Sequence, residues 1–275
     1  MIRKSFLVPA MVLAFSGQLF AGSVLEMSAR YQAGPAALMD RMYAQDGKFR
    51  MDHMDGKGGI LTSMIFRNNE MLVISHPDKK FNRINEEMLA KFSDQMKQAN
   101  DAMKKMQQQM ANLPPQQRAM MEKIMKGKMP GMPPKAQLPT LRVEATGQGR
   151  WESYSCKNYT IHFDEQRREE VCAAPPSEVK GSDEVLEALR NMREFQKKMT
   201  EALPQIPMGG ALNQQIEAMN QIDGFAVHRQ EYNKDVKQNE IFLSSAREES
   251  LSDDIFSPPQ GYKEEKMMPG AGGSK

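Results

Sequence analysis

Methionine is the residue type in this chain that could do chemistry: 25 of its 275 residues carry a thioether. Thioethers are soft donors suited to Cu(I), and they also fill irregular gaps and re-pack against variable ligands. Spacing separates the two uses. Phe92, Met96, Ala99, Met103, Met106, Met110 and Leu113 succeed one another at steps of four and three, which lays one apolar face along a helix. The opposite face is Lys97, Gln98, Asp101, Lys104, Lys105 and Gln108, so these methionines follow helical packing. A metal needs sulfurs that converge rather than a continuous seam. Met120, Met121, Met125, Met129 and Met132 are spaced loosely beside Gly and Pro and form the alternative, a soft-metal clamp.

The remaining reactive side chains form no motif. None of the four histidines, His53, His76, His162 and His228, has the spacing of a zinc helix. His53 and Met54 follow Met51 closely, but strand alternation sends immediate neighbours to opposite faces. There is no Gly-x-Ser-x-Gly elbow, and Gly56-Lys57-Gly58-Gly59 lacks both the spacing of a phosphate loop and a helix behind it. The expectation is a protein that is not an enzyme and has no cofactor. Trp151, Tyr154, Tyr159 and Phe163 read as strand aromatics packed on neighbouring strands.

Met1 to Ala21 reads as a secretory signal peptide: Arg3 and Lys4, the apolar run Phe6 to Phe15, then a cleavage site at Leu19-Phe20-Ala21. The expected location is the periplasm or the exterior. Losing Arg3 and Lys4 with the leader reduces the 37 basic residues to 35, equal to the 35 acidic ones. A neutral chain carries no electrostatic footprint for nucleic acid. In an oxidising compartment Cys156 and Cys172 read as a disulfide. Closing a loop of about 17 residues adds roughly 3 kcal/mol.

The elements that must position these residues follow from turn and cap signals. Ser23 to Ile84 reads as a meander of about five strands, with turns at Asp46-Gly47, Asp55-Gly56, Asn68-Asn69 and His76-Pro77-Asp78. Within it Phe49, Met51 and His53 alternate with Arg50, Asp52 and Met54, and Thr62, Met64 and Phe66 with Leu61, Ser63 and Ile65. Asn85 caps a helix running to about Asn112, roughly 40 Å long at 1.5 Å per residue. A shorter helix follows through Met125, then a Gly/Pro/Met linker to Pro139.

Strands resume at Leu141 to Val143, Arg150 to Tyr154, Tyr159 to Phe163 and Glu169 to Cys172, the last two forming a hairpin around Asp164 to Gln166 that brings the cysteines face to face or nearly so. Ser182 caps a second helix to Ala202, apolar on Val185, Leu189, Met192, Phe195, Met199 and Leu203. Two strands, Gly224 to Tyr232 and Glu240 to Arg247, complete the pattern. The order predicts an α+β fold, a curved antiparallel sheet with one-sided helices over its concave face. It is one domain over 22–263 with helical insertions at about 85–138 and 182–220, and a disordered tail over 264–275.

Several short segments, in order, carry a resemblance. They are Gly47-Lys48-Phe49-Arg50-Met51-Asp52, Met64-Ile65-Phe66-Arg67-Asn68-Asn69, Lys79-Lys80-Phe81-Asn82-Arg83-Ile84, Ser155-Cys156 with Tyr159, Asp223-Gly224-Phe225, and Phe256 to Tyr262. The chain resembles a bacterial family of exported domains of unknown function whose fold is similar to the lipoprotein carrier LolA. The resemblance implies a half-open barrel that holds acyl chains or a lipoprotein in transit. The methionine- and glutamine-rich insert Gln95 to Met132 departs from that family.

Together these readings predict a periplasmic binding or carrier protein for a lipid, acyl chain or lipidated protein. Phe92, Met96, Met103, Met106, Met110, Met192, Phe195 and Met199 would line its ligand. The alternatives are the Cu(I) clamp and a module that docks an envelope protein.

Overall fold

A computed structural model describes residues 22–31, 34–111, 114, 139–202, 214 and 217–265. The expected leader, the segment of the metal clamp from Met120 to Met132, and the tail from residue 266 onward lie outside the described residues.

Six strands come first: β1 (Gly22–Tyr31), β2 (Ala36–Gln45), β3 (Lys48–Met54), β4 (Ile60–Arg67), β5 (Glu70–Ser75) and β6 (Lys80–Ile84). Helix α1 (Glu86–Ala111) follows, then β7 (Leu141–Trp151), β8 (Tyr154–Phe163) and β9 (Gln166–Ala174). Helix α2 (Ser182–Ala202) precedes β10 (Phe225–Asn233) and β11 (Val236–Glu249), and β12 (Lys263–Glu264) comes last. The twelve strands among the described residues form one open, curved sheet in the order β12-β6-β5-β4-β3-β2-β1-β11-β10-β9-β8-β7. Pairing is antiparallel everywhere except β12 on β6. The sheet is thus two meanders joined at a seam, where β1 meets β11 with Gly22 opposite Glu249 and Tyr31 opposite Asn239.

Local chemistry explains the hairpins. Asp46 and Gly47 have φ of 52° and 70°, and Asn68 and Asn69 have 47° and 55°. Both pairs make the two-residue turns whose twist matches the flanking strands. Lys234 and Asp235 do the same between β10 and β11 without a glycine or asparagine to announce it. The expected break between Val143 and Arg150 is absent: Gly147 forms a bulge that keeps β7 one strand, and the turn falls at Glu152-Ser153.

The helices cover less of the sheet than expected. Asn85 caps α1 as the sequence implies, its Oδ1 accepting from the Met88 N–H at 2.9 Å. Among the described residues α1 packs chiefly on α2 and β6, with Leu89 buried and Met88 partly buried in the core. Its described side chains from Asp94 onward are exposed. Helix α2 is the true cover, packing across β1, β2 and β3 with Val185, Ala188, Met192 and Phe195 buried. Ser182 does not act as an N-cap: its hydroxyl donates to the Pro176 carbonyl. Gly181, at φ 74°, lets the chain enter α2 against β1, where a Cβ would meet Ser23 Oγ at 2.7 Å.

The opposite face of β2–β6 carries a different cover. Ile65, Leu72, Ile74 and Phe81 pack against Phe256, with Tyr43, Leu251, Ile255 and Tyr262 around them. The C-terminal segment is therefore a strap. It continues past the expected end of the domain, with the Glu265 N–H bonded to Phe81 O at 2.8 Å. Among the described residues no helix is long and apolar enough to cross a membrane.

Candidate functional site

Register alone assembles a methionine face. Residues directly opposite in an antiparallel pair share a face. The pairs Ala44–Phe49, Phe49–Phe66, Phe66–Met71 and Met71–Ile84 therefore form one row across five strands. The next row is Leu25, Met42, Met51, Met64 and Val73. A third row, Met27, Asp40, His53, Thr62 and Ser75, turns polar. The deep row is buried, Met51 and Met64 are half-buried, and Val73 is 38% exposed. Apolar packing beneath the helices thus grades through thioethers into a polar rim.

One continuous cluster holds Met27, Met39, Met42, Met51, Met64 and Met71 from the sheet, with Met88 and Met192 from the helices. Of the expected lining, Met192 and Phe195 lie in it, and the Phe195 ring stands 5.8 Å from that of Phe66. Phe92 is half-buried on α1. The side chains of Met96, Met103, Met106, Met110 and Met199 lie outside the described residues, as do Met120, Met121, Met125, Met129 and Met132. The sheet methionines were missed, although the alternation of Phe49, Met51 and His53 already placed them on one face. Only the strand-to-strand register was lacking.

The other face of the same strands presents an arrangement that imitates a catalytic one. Ser63 Oγ lies 2.7 Å from His76 Nε2 and 2.5 Å from Asp52 Oδ1. Arg50 Nε donates to the same carboxylate at 2.7 Å, and its guanidinium also donates to the Ile255 carbonyl at 2.8 Å. His76 Nδ1 meets Tyr262 Oη at 3.0 Å. The network assigns the protons: Ser63 donates to Asp52, His76 Nε2–H to Ser63, and Tyr262 O–H to Nδ1. A nucleophilic serine requires the reverse, a histidine accepting from it with the carboxylate behind the histidine. Ser63 and Asp52 are each 1% exposed, closed in beneath the C-terminal strap. The group is a clasp that ties the strap to the sheet. Burial, then the Arg50 charge, pushes the His76 pKa below its ordinary value.

In the second meander Cys156 on β8 and Cys172 on β9 are joined, with Cα atoms 5.4 Å apart. Cys172 lies opposite Asn158, so the bridge is a diagonal one. Across the sheet from Cys172 is His228, on which Trp151 stacks with ring centroids 3.7 Å apart. Trp151 also tilts against Phe242 at 6.0 Å. Burial pushes the His228 pKa down, while its Nε2 meets Glu240 at 3.1 Å. These contacts staple β7 onto β10 and β11. Among the described residues no group of three or more His, Cys, Asp or Glu could hold a metal.

Comparison with curated protein sequences gives no match. Among solved structures the chain is similar in outline to an uncharacterized conserved protein from Thermus thermophilus, at 7% identity and a TM-score of 0.44, covering 90% of this chain and 92% of that one. It is also similar to PNGF-II, at 10% identity and a TM-score of 0.37, covering 90% of this chain and 31% of that one. A LolA superfamily protein from Nitrosomonas europaea aligns at 6% identity and a TM-score of 0.27, over 86% of this chain and 89% of that one. Residues 79–262, from the end of the first meander through the strap, match one family over more than half the chain, so the protein belongs to the family described as Domain of unknown function (DUF4412).

Proposed function

We propose that this protein is an exported, non-enzymatic carrier or binding protein for an apolar ligand: a lipid, an acyl chain or a lipidated protein. The observation that carries the reading is the methionine face. A static core is better served by leucine, isoleucine and valine, which have fewer rotamers, and the strap side of the same strands uses them. The helix side adds eight methionines to its leucines, isoleucines and valines. Unbranched thioethers re-pack at low cost, so this layer admits an acyl chain when α2 or α1 shifts. The half-buried Met64 and exposed Val73 mark where a chain enters.

Native mass spectrometry of protein purified from the exporting cell tests the reading. Co-purified lipid, lost when Met51 and Met64 are both changed to Gln, supports it. Lipid-free protein that also fails to take up a fluorescent fatty acid overturns it. Stoichiometric capture of one envelope protein in place of lipid favours a docking role.

A further inference from the structure

We propose that Met42, Met51, Met64 and His53 form a binding site for a soft monovalent cation, Cu(I), at the rim of the methionine face. Met42 lies opposite Met51 and Met51 opposite Met64, which puts three thioethers side by side on adjacent strands. Neighbouring Cβ atoms in such a row are about 4.5–5.5 Å apart. Three rotatable bonds per side chain let the sulfurs lean toward one point without moving the backbone. His53 is two residues beyond Met51 on β3, so it stands on the same face, not on the opposite face with Met54. It is a diagonal neighbour of Met64 because Thr62 lies opposite it.

The imidazole supplies the second, independent sign. Its Nδ1 is held by Asp40 Oδ1 at 2.9 Å, and Nε2 makes no hydrogen bond among the described residues. A carboxylate on one ring nitrogen with the other left open is how proteins orient a metal-ligating histidine. The His53 side chain is 48% exposed, and Met51 and Met64 are half-buried, so an ion enters from the polar rim. Three thioethers and one imidazole are neutral, soft-to-borderline donors. Beside apolar packing they suit a single positive charge better than a double one, and Cu(I) better than Zn(II). Both cysteines are bonded to each other and offer no thiolate. The site stands whether or not the chain carries lipid.

The test uses the full mature protein, with Cu(I) held reduced by ascorbate and competed against bicinchoninate. Met51→Leu with Met64→Leu keeps volume and burial and is expected to weaken the tightest site by about tenfold or more. Asp40→Asn, which unmoors the imidazole, is expected to weaken it by about tenfold. A control on the opposite face of the same strand, Met54→Leu, where the methionine is also buried, leaves affinity at the parent value. X-ray absorption of the loaded parent shows sulfur with one nitrogen neighbour. Equal affinity in the first pair and the parent, equal loss in Met54→Leu, or a sulfur-only shell each overturns the proposal. Lipid content by mass spectrometry is read on the same samples, so a failed carrier reading and a failed metal site are told apart.

Discussion

The two faces of β2–β6 are made by the same backbone and solve opposite problems. Toward the helices the strands present Met42, Met51, Met64 and Met71, which are flexible and carry no obligatory partner. Toward the strap they present Ile65, Leu72 and Ile74, with Asp52 and Ser63 buried and fully bonded. Adaptability is thus written into one side and fixity into the other, residue by alternate residue. A strand can give way on one face only if the other holds its position.

Removing a clasp partner should break that division most severely. Asp52→Ala leaves the Arg50 guanidinium, whose side chain is 12% exposed, without its carboxylate. Losing one partner of a buried pair costs about 3–5 kcal/mol, read as a lowered urea midpoint at unchanged slope. Phe256→Ala comes next. Its ring is 1% exposed at the centre of the strap's contact, and its loss should cost about 3 kcal/mol, with proteolysis after residue 250 appearing first.

Acid sharpens the same contrast. His76 and His228 both have folded pKa values pushed below 6.5, chiefly by burial, so folding favours their neutral forms. Their contribution is complete above pH 6.5, and stability falls as pH drops through 6.5 toward the lowered folded values. His76→Gln should flatten part of that fall in thermal melts taken between pH 7.5 and 5. The smallest effect belongs to the soft face: Met51→Leu and Met64→Leu should each change stability by less than about 1.5 kcal/mol, by urea titration. A large loss there would mean that the two faces are equally rigid.

The local pattern of both faces was legible in sequence. Alternation separated Phe49, Met51 and His53 from Arg50 and Asp52, and the Asp46-Gly47 and Asn68-Asn69 turns set the neighbouring strands. Reach across strands was not legible. That Met42 meets Met51, or that His76 meets Tyr262 with 186 residues between them, depends on register and on the strap's path, which no local signal encodes. The helical stripe from Phe92 to Leu113 illustrates the converse: strong periodicity, yet the α1 side chains described in the core, Met88 and Leu89, lie at the start of the helix. An amphipathic face announces that something covers it, and the spacing does not say what.

The seam between the meanders has a consequence for how the molecule is made. Ser28 and Ser244 are hydrogen-bonded across 216 residues, so the strand synthesised first waits for nearly the last before it finds its second neighbour. The first meander, the β7–β9 strands and the β10–β11 hairpin can each zip from their own short turns, but their union must come after the ribosome has released almost the entire polypeptide. Until then β1 is a naked border, open to the wrong partner. Newborn chains should therefore need shielding over β1, and premature termination before residue 236 should yield two half-sheets' worth of sequence with nothing to join them.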